Sequence, residues 1–194
     1  MTTRIPLTVI GGFLGAGKTT LLNQLLRSQP DRRVAILVND FGSLNIDTEL
    51  VASARGDTIA LTNGCVCCAM GDDLGAALLR VLAAPRPFDA VLIEASGVSD
   101  PGRIAQLGQA APELQLDGVI VLTDATAVLE QMRDPLLADT VLAQIRSADW
   151  LVLNKLDLVD AVRLRDLRAA LREAAPGTPV LESLHGNIPF AVLS

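Results

Sequence analysis

Aromatic side chains are scarce in this sequence, and other shortages narrow its possible functions further. The 194 residues include four Phe, one Trp and no Tyr, so we expect no aromatic platform for stacking single-stranded nucleic acid. Acidic residues outnumber basic ones by 22 to 16, and the net charge of −6 disfavours binding to a nucleic-acid phosphate backbone. No apolar run reaches the roughly 18 residues that a membrane helix needs. We therefore expect neither a nucleic-acid partner nor a membrane.

Cysteine and histidine are also few, and their placement bears on the cellular compartment. The three cysteines lie within residues 65–68, and His185 is the only histidine. An odd, crowded set of cysteines is not the pattern of a disulfide framework. The apolar N-terminal stretch has no small-residue cleavage site and leads directly into a glycine-rich motif, which is not typical of a signal peptide. These features predict a cytoplasmic protein.

Apolar segments that alternate with helical patterns indicate the fold class. Hydrophobic residues make up 50% of the chain and charged residues 20%, which suits one packed domain. Short runs that are apolar on both faces predict buried parallel strands, at Leu7–Ile10, Val34–Val38, Val91–Ile93, Val119–Leu122 and Leu151–Leu153. Amphipathic helices are predicted at Thr19–Arg27, Leu74–Leu82 and Ala161–Ala174. The alternation predicts a doubly wound α/β fold, with a mostly parallel sheet and helices on both faces.

The first predicted strand leads into a motif for binding phosphate. Residues 12–19 read GFLGAGKT, which matches G-x-x-x-x-G-K-[ST] between a strand and a helix and predicts a P-loop NTPase. Glycines let the backbone N–H groups point at phosphate oxygens, beside the positive end of the helix dipole. Lys18 can reach the β- and γ-phosphates, Thr19 can bind Mg²⁺, and Thr20 can contact the α-phosphate. The predicted nucleotide-binding residues of this loop are Gly12, Gly15, Ala16, Gly17, Lys18, Thr19 and Thr20.

A second motif predicts which base the nucleotide carries. Asn154, Lys155 and Asp157 form N-K-x-D after the last predicted strand, at the strand end where ligands bind in open α/β sheets. A carboxylate at Asp157 can accept hydrogen bonds from guanine N1–H and its exocyclic amine, whereas adenine offers a ring acceptor there. Asn154 can bond guanine N7, and the Lys155 stem can lie over the base. Together with the phosphate loop, this motif favours guanine.

A strand that ends in a carboxylate predicts the second acidic residue of the site. Glu94 follows Val91–Ile93 and precedes Ala-Ser-Gly, so it is expected to help hold Mg²⁺ through water or to orient the attacking water. We take Lys18 and Glu94 as the candidate catalytic residues. Asp47 is a weaker candidate metal ligand, and Asp124 could simply cap the next helix. No Gln or Arg stands out as a partner in hydrolysis, so we expect slow intrinsic turnover.

The cysteine cluster is the unusual feature of the sequence. Cys65, Cys67 and Cys68 stand in N-G-C-x-C-C before a helix expected to begin near Gly71 or Asp72. A nearby helix N-terminus lowers thiol pKa, and thiolates bind Zn²⁺, Cu⁺ and thiophilic Co²⁺. Two or three such ligands leave coordination positions open, which suits a transferred metal. Buried structural cysteines and a redox pair remain alternatives, and His185 is better interpreted as a polar loop residue.

Taken in order, these motifs resemble the GTPase domain of the CobW family, whose relatives include HypB and UreG. The resemblance spans essentially the whole chain and also includes N-D-F-G at 39–42 with Ile46-Asp47. It implies that GTP binding and hydrolysis are coupled to handling Zn²⁺ or Co²⁺ for delivery to client proteins. It also implies that the cysteines are metal ligands, that Lys18 and Thr19 lie at phosphate and Mg²⁺, and that Glu94 and Asp157 lie near the γ-phosphate and guanine.

Three departures from the family pattern qualify this resemblance. The family loop reads N-E-F-G-E, whereas Asp40 and Ser43 replace its two glutamates here, which puts a metal role at those positions in doubt. There is no His-rich stretch for metal storage. The chain ends at Ser194, so we expect residues 1–194 to form a single P-loop GTPase domain, with the family's C-terminal domain absent.

The sequence thus predicts a metallochaperone domain that uses Mg·GTP and carries Zn²⁺ or Co²⁺ as cargo. The expected partner is an unidentified client metalloprotein, and a homodimer is left open. Two other functions stay open: a nucleotide-dependent metal or redox sensor without a delivery role, and a different phosphoryl-transfer enzyme such as a small-molecule kinase. A domain that binds nucleotide but needs an absent second half for activity is a third alternative.

Overall fold

The structure, a computed structural model, describes residues 4–28, 32–39, 58–61 and 70–188. Within these residues, seven strands form one parallel sheet. The strands are β1 (Ile5–Gly12), β2 (Val34–Asn39), β3 (Thr58–Leu61), β4 (Ala90–Glu94), β5 (Leu114–Asp124), β6 (Trp150–Asn154) and β7 (Val180–Glu182). Their order across the sheet is β3-β2-β4-β1-β5-β6-β7. The predicted doubly wound, parallel α/β architecture is confirmed.

Helices connect the strands. They are α1 (Lys18–Ser28), α2 (Met70–Leu82), α3 (Pro101–Gln109), α4 (Val128–Gln131), α5 (Ala138–Arg146) and α6 (Ala161–Ala174), with a 3₁₀-helix at Leu156–Leu158. Each helix in the described residues is too short or too polar to span a lipid bilayer.

Two hydrophobic clusters cover the two faces of the sheet. Successive residues of a strand point to opposite faces, so the fully buried neighbours Val9 and Ile10 belong to different clusters. Helix α1 packs on the face of Ile10 through Leu21, Leu22, Leu25 and Leu26. Helices α2, α3, α5 and α6 supply buried residues to the cluster on the other face. Because both faces are covered, the central strands contain short runs that are apolar on both faces, which is the pattern that predicted them.

The structure extends the predicted elements and adds others. All five predicted strands and all three predicted helices are present. Strand β5 begins at Leu114 rather than Val119, and its first residues pair with the start of β1. The prediction missed these residues because polar side chains interrupt the apolar run there. Helix α2 begins at Met70, one residue before the earliest position expected. Strands β3 and β7 and helices α3, α4 and α5 were not predicted.

The order of the central strands brings the candidate site residues to one edge of the sheet. Strands β4, β1, β5 and β6 are neighbours, and their carboxyl ends carry Glu94, Gly12, Asp124 and Asn154. Glu94 pairs with Ile10, and Asp124 pairs with Asn154. Ligands bind at this edge in open parallel sheets.

Candidate functional site

The phosphate loop connects the end of β1 to the start of α1. The backbone of Gly15 and Gly17 lies in the left-handed region, with φ of +77° and +101°. Ala16 N–H donates to Phe13 O at 3.2 Å, which closes a turn over residues 13–16. The loop therefore curls before the helix begins at Lys18, as the motif predicts.

Lys18 and Thr19 occupy the first turn of α1. The Lys18 ammonium donates to the carbonyl oxygen of Gly12 at 3.0 Å, so its charge lies over the phosphate loop. The Thr19 hydroxyl donates to Glu94 Oε1 at 3.1 Å, across a separation of 75 residues in the sequence. The structure thus brings together a hydroxyl and a carboxylate that the sequence assigned to one site.

An open cleft of about 260 Å³ lies between the phosphate loop and the segment after β4. Its walls include Gly15, Gly17, Lys18, Thr19 and Thr20 on one side and Glu94, Ala95, Ser96 and Gly97 on the other. Backbone N–H groups at a helix N-terminus, a lysine and hydroxyls are the groups that bind phosphate oxygens. The cleft therefore has the chemistry of a polyphosphate site.

The donor set at this cleft fits Mg²⁺. Mg²⁺ prefers hard oxygen ligands and is usually held by one or two protein groups plus phosphates and waters. The Thr19 hydroxyl and the Glu94 carboxylate offer oxygen atoms of this kind, and they are hydrogen-bonded to each other. Both line the same cleft as Lys18.

Asn154 connects the phosphate loop to the C-terminal part of the domain. Its side chain is 2% exposed. Nδ2 donates to Ala16 O at 3.0 Å, and Oδ1 accepts from Gly186 N–H at 2.9 Å. The amide therefore fixes the phosphate loop against β6, a role that the sequence interpretation missed. Its predicted bond to guanine N7 stays a prediction.

Lys155 is held by a carboxylate at the end of the neighbouring strand. Its backbone is left-handed, with φ of +64°, and its ammonium contacts Asp124 Oδ2 at 2.7 Å. Asp124 Oδ1 also accepts from the N–H and the hydroxyl of Thr126. Burial opposes ionisation of Asp124, but the hydrogen bonds from Lys155 and Thr126 outweigh it and hold the pKa of Asp124 below its ordinary value.

Asp157 lies in the 3₁₀-helix after β6 and is exposed. This position, three residues beyond Asn154, leaves its carboxylate accessible to a ligand at the carboxyl edge of the sheet.

The loop after β7 is held near the end of β6 by the hydrogen bond from Gly186 N–H to Asn154. In that loop, the His185 carbonyl accepts from Gln24 of α1 at 2.7 Å. His185 is thus a loop residue whose backbone helps dock the loop on α1.

The predicted metal ligands Cys65, Cys67, Cys68 and Asp47 lie outside the described residues, as do Asp40 and Ser43. In the described ranges, no three His, Cys, Asp or Glu side chains converge where they could hold a metal ion. The cysteine site stays a prediction.

Comparisons with known proteins agree with this geometry. The family model described as "CobW/HypB/UreG, nucleotide-binding domain" matches residues 6–182. The Escherichia coli protein named zinc chaperone YjiA is 36% identical to this chain, over 97% of the chain and 60% of the relative. The zinc chaperone CobW of Pseudomonas aeruginosa is 34% identical, over 98% of the chain and 59% of the relative.

A solved structure gives the same picture of the fold. The crystal structure of Zn(II)-bound YjiA GTPase from E. coli matches with a TM-score of 0.72 and 28% identity, over 98% of this chain and 61% of that one. The chain thus spans about 60% of the length of these relatives. With the matched range, the parallel sheet and the phosphate loop in agreement, the chain belongs to the family of CobW/HypB/UreG nucleotide-binding domains.

Proposed function

We propose that this chain binds Mg·GTP, hydrolyses it, and couples the nucleotide state to the binding and delivery of Zn²⁺ or Co²⁺. The contact between Thr19 and Glu94 carries the proposal, because it joins the phosphate loop to the second acidic residue inside one cleft. The recipient is an unidentified client metalloprotein, and we place the activity in the cytoplasm. Two relatives named zinc chaperone support the metal part, and a relative named a GTPase supports the hydrolysis.

In the proposed hydrolysis, the protein mainly positions groups and stabilises negative charge. The Lys18 ammonium, buried above the loop, attracts the terminal phosphates and stabilises charge that develops in the transition state. Thr19 and Glu94 would hold Mg²⁺, which supplies positive charge opposite the phosphate oxygens when it is bound. Glu94 would also orient a water toward the terminal phosphate. With no arginine or glutamine assigned to that water, we expect slow turnover.

Guanine selection is assigned to Asp157, with Asn154 and Lys155 as supports. The exposed carboxylate of Asp157 can accept two hydrogen bonds from guanine and would face an unpaired acceptor on adenine. Asn154 holds the start of the N-K-x-D motif against the phosphate loop through its hydrogen bond to the carbonyl of Ala16. Asp124 holds Lys155, whose stem can lie over the base.

The proposed cargo site consists of Cys65 and Cys67, with Cys68 as a further candidate ligand, and Asp47 stays a separate, weaker candidate metal ligand. The cysteines lie between the phosphate loop and Glu94 in the sequence, and this order motivates the proposed coupling. A nucleotide that orders this segment would change the metal affinity by the difference between two states. Metal release then follows from hydrolysis.

The experiment that tests this proposal measures Zn²⁺ and Co²⁺ affinity by competition with a chelator, under reducing conditions. It compares the chain without nucleotide, with Mg·GDP, and with Mg²⁺ and a non-hydrolysable GTP analogue. We expect tight binding only with the GTP analogue, and its loss in the Cys65→Ser/Cys67→Ser variant. Lys18→Ala serves as the control, since it should remove the nucleotide effect while leaving the thiols in place. Equal metal affinity in all three nucleotide states would contradict the coupling and favour a metal sensor.

A further inference from the structure

Gln144 is a buried polar residue on an otherwise apolar helix face. It lies on α5 with its side chain 2% exposed, and the neighbouring positions Val141 and Ile145 on the same face belong to the hydrophobic core. Its Nε2 atom donates to the carbonyl oxygens of Gly97 at 3.1 Å and Ser99 at 2.8 Å. A primary amide has two N–H groups, so one side chain binds two backbone carbonyls of the same segment.

That segment, residues 95–100, joins Glu94 to helix α3. Internal hydrogen bonds stiffen it, because the hydroxyls of Ser96 and Ser99 lie 2.6 Å apart and Ser99 N–H donates to Ser96 O at 3.1 Å. Residues 94–97 form one wall of the phosphate cleft. The position of this segment therefore sets the width of the cleft opposite Lys18 and Thr19.

Gly97 is fixed from the other side by the phosphate loop. A Cβ atom at Gly97 would lie 2.5 Å from Leu14 Cδ2 and 2.9 Å from Leu14 N, so the two backbones approach closely. The segment is thus held between Leu14 on one side and the Gln144 amide on the other. Without Gln144, the carbonyls of Gly97 and Ser99 would lose the donor that this side chain supplies, and the segment would no longer be held from the side of α5.

We propose that Gln144 is a positioning residue that strengthens the binding of GTP relative to GDP by holding residues 95–97 against the phosphate cleft. The inference rests on the proposed guanine-nucleotide function. The terminal phosphate is the part of GTP that GDP lacks, and the wall formed by Glu94–Gly97 faces the loop residues that bind terminal phosphates. Gln144 itself does not line this cleft, so it acts only through the segment that it holds.

The test compares Gln144→Met with wild type. Met has similar length and volume but has no N–H donor. Affinities for GDP and for a non-hydrolysable GTP analogue are measured by calorimetry with Mg²⁺, together with GTP turnover and the melting temperature. We expect Gln144→Met to weaken analogue binding about tenfold, the equivalent of one or two lost hydrogen bonds, with GDP affinity within about threefold. Turnover at saturating GTP should fall in parallel.

Two controls separate positioning from loss of stability. Gln106→Met makes the same chemical change on an exposed face of α3 and should leave both affinities unchanged. Ile145→Val shortens the adjacent buried side chain of α5 and should lower the melting temperature without changing the ratio of the two affinities. If Gln144→Met is too unstable to measure, Gln144→Asn keeps the donors on a shorter arm and should show the same selective loss.

Equal weakening of GDP and the analogue, or no weakening of either in a folded variant, would overturn the inference. Failure of the proposed function is recognised separately, in wild type. A wild-type chain that binds both nucleotides without hydrolysing GTP contradicts the proposed hydrolysis, while the ratio of the two affinities still decides the role of Gln144.

Discussion

Gly17 lies where the phosphate loop contacts Asn154, at the end of β6. Its φ of +101° belongs to a region that side chains other than glycine rarely adopt. A Cβ atom there would lie 2.6 Å from Asn154 Nδ2, the atom that binds the carbonyl of Ala16. A methyl group at this residue therefore both strains the backbone and displaces a buried amide.

We predict that Gly17→Ala destabilises the domain more than Gly15→Ala does. Gly15 also has positive φ, but a Cβ there meets no atom within 4 Å, so its substitution costs only backbone strain, about 1 kcal/mol. Gly17→Ala adds the disruption of the Asn154 amide, for a total of about 2–4 kcal/mol. Urea unfolding of the two variants measures the difference. Equal losses would show that the contact with Asn154 contributes nothing.

The pair of Asp124 and Lys155 predicts a pH-dependent term in stability. The side chains are 11% and 34% exposed, so solvent screens the pair only in part. Because the folded-state pKa of Asp124 is lowered from 3.8, its contribution is complete above that ordinary value. It is lost as the pH falls through the lower folded-state value. Asp124→Asn should therefore reduce the free energy of unfolding by about 1 kcal/mol at neutral pH, and the difference from wild type should shrink in acid.

Glu130→Gln provides the matched control for this prediction. Glu130 pairs with Arg163, but its side chain is 62% exposed, and exposed ion pairs contribute little. Urea unfolding at neutral pH and near pH 3 should show a change within about 0.5 kcal/mol for this variant. If Asp124→Asn has the same effect at both pH values, the ion pair with Lys155 is not the source of its stability.

At the scale of the helix, α6 depends on its N-terminal cap. Asp160 Oδ1 accepts from Arg163 N–H at 2.8 Å, which satisfies one of the free N–H groups at the start of a helix. Asp160→Ala should therefore lower the free energy of unfolding by about 1 kcal/mol. Asp166→Ala, on the same helix but exposed and paired with the exposed Arg165, should change it by less than about 0.5 kcal/mol. Similar losses in the two variants would mean that the cap is not the cause.

The central strands could be predicted from the sequence because burial on both faces requires several consecutive apolar residues. Strands β1, β2, β4, β5 and β6 are apolar at consecutive positions, since each face of the sheet is covered by a hydrophobic cluster. The positions of Lys18, Glu94 and Asn154 at one edge of the sheet could be predicted because their motifs follow the ends of predicted strands. The order of the strands brings these ends together.

An edge strand and a short helix had weaker hydrophobic patterns in the sequence and were therefore not predicted. Strand β7 has only three residues, none of them fully buried, so no apolar run marked it. Helix α5 combines a polar Gln144 with Val141 and Ile145 on its buried face, and the glutamine obscures the amphipathic pattern. The partner of that amide is a backbone segment 45 residues away, which no local pattern specifies.

At the scale of the whole molecule, the candidate site draws on segments from the length of the chain. Gly12–Thr19, Glu94, Asn154 and Gly186 are brought together by β1, β4 and β6 and by the bonds of Asn154. A ligand that binds only this assembled arrangement stabilises the entire fold by mass action. Nucleotide binding should therefore raise the free energy of global unfolding, because the unfolded chain contains the same motifs but does not bring them together.

We predict that GDP stabilises the domain and that Asp157 determines which base does so. At about 100 times its dissociation constant, GDP should raise the free energy of unfolding by about 2.7 kcal/mol. Asp157→Asn replaces one acceptor with a donor, so guanine's exocyclic amine loses its partner while the carbonyl of xanthine gains one. The thermal shift with GDP should fall and that with xanthosine diphosphate should rise. Asp160→Asn, which keeps a helix cap, should leave the preference unchanged, and an unchanged preference in Asp157→Asn would assign base selection to another residue.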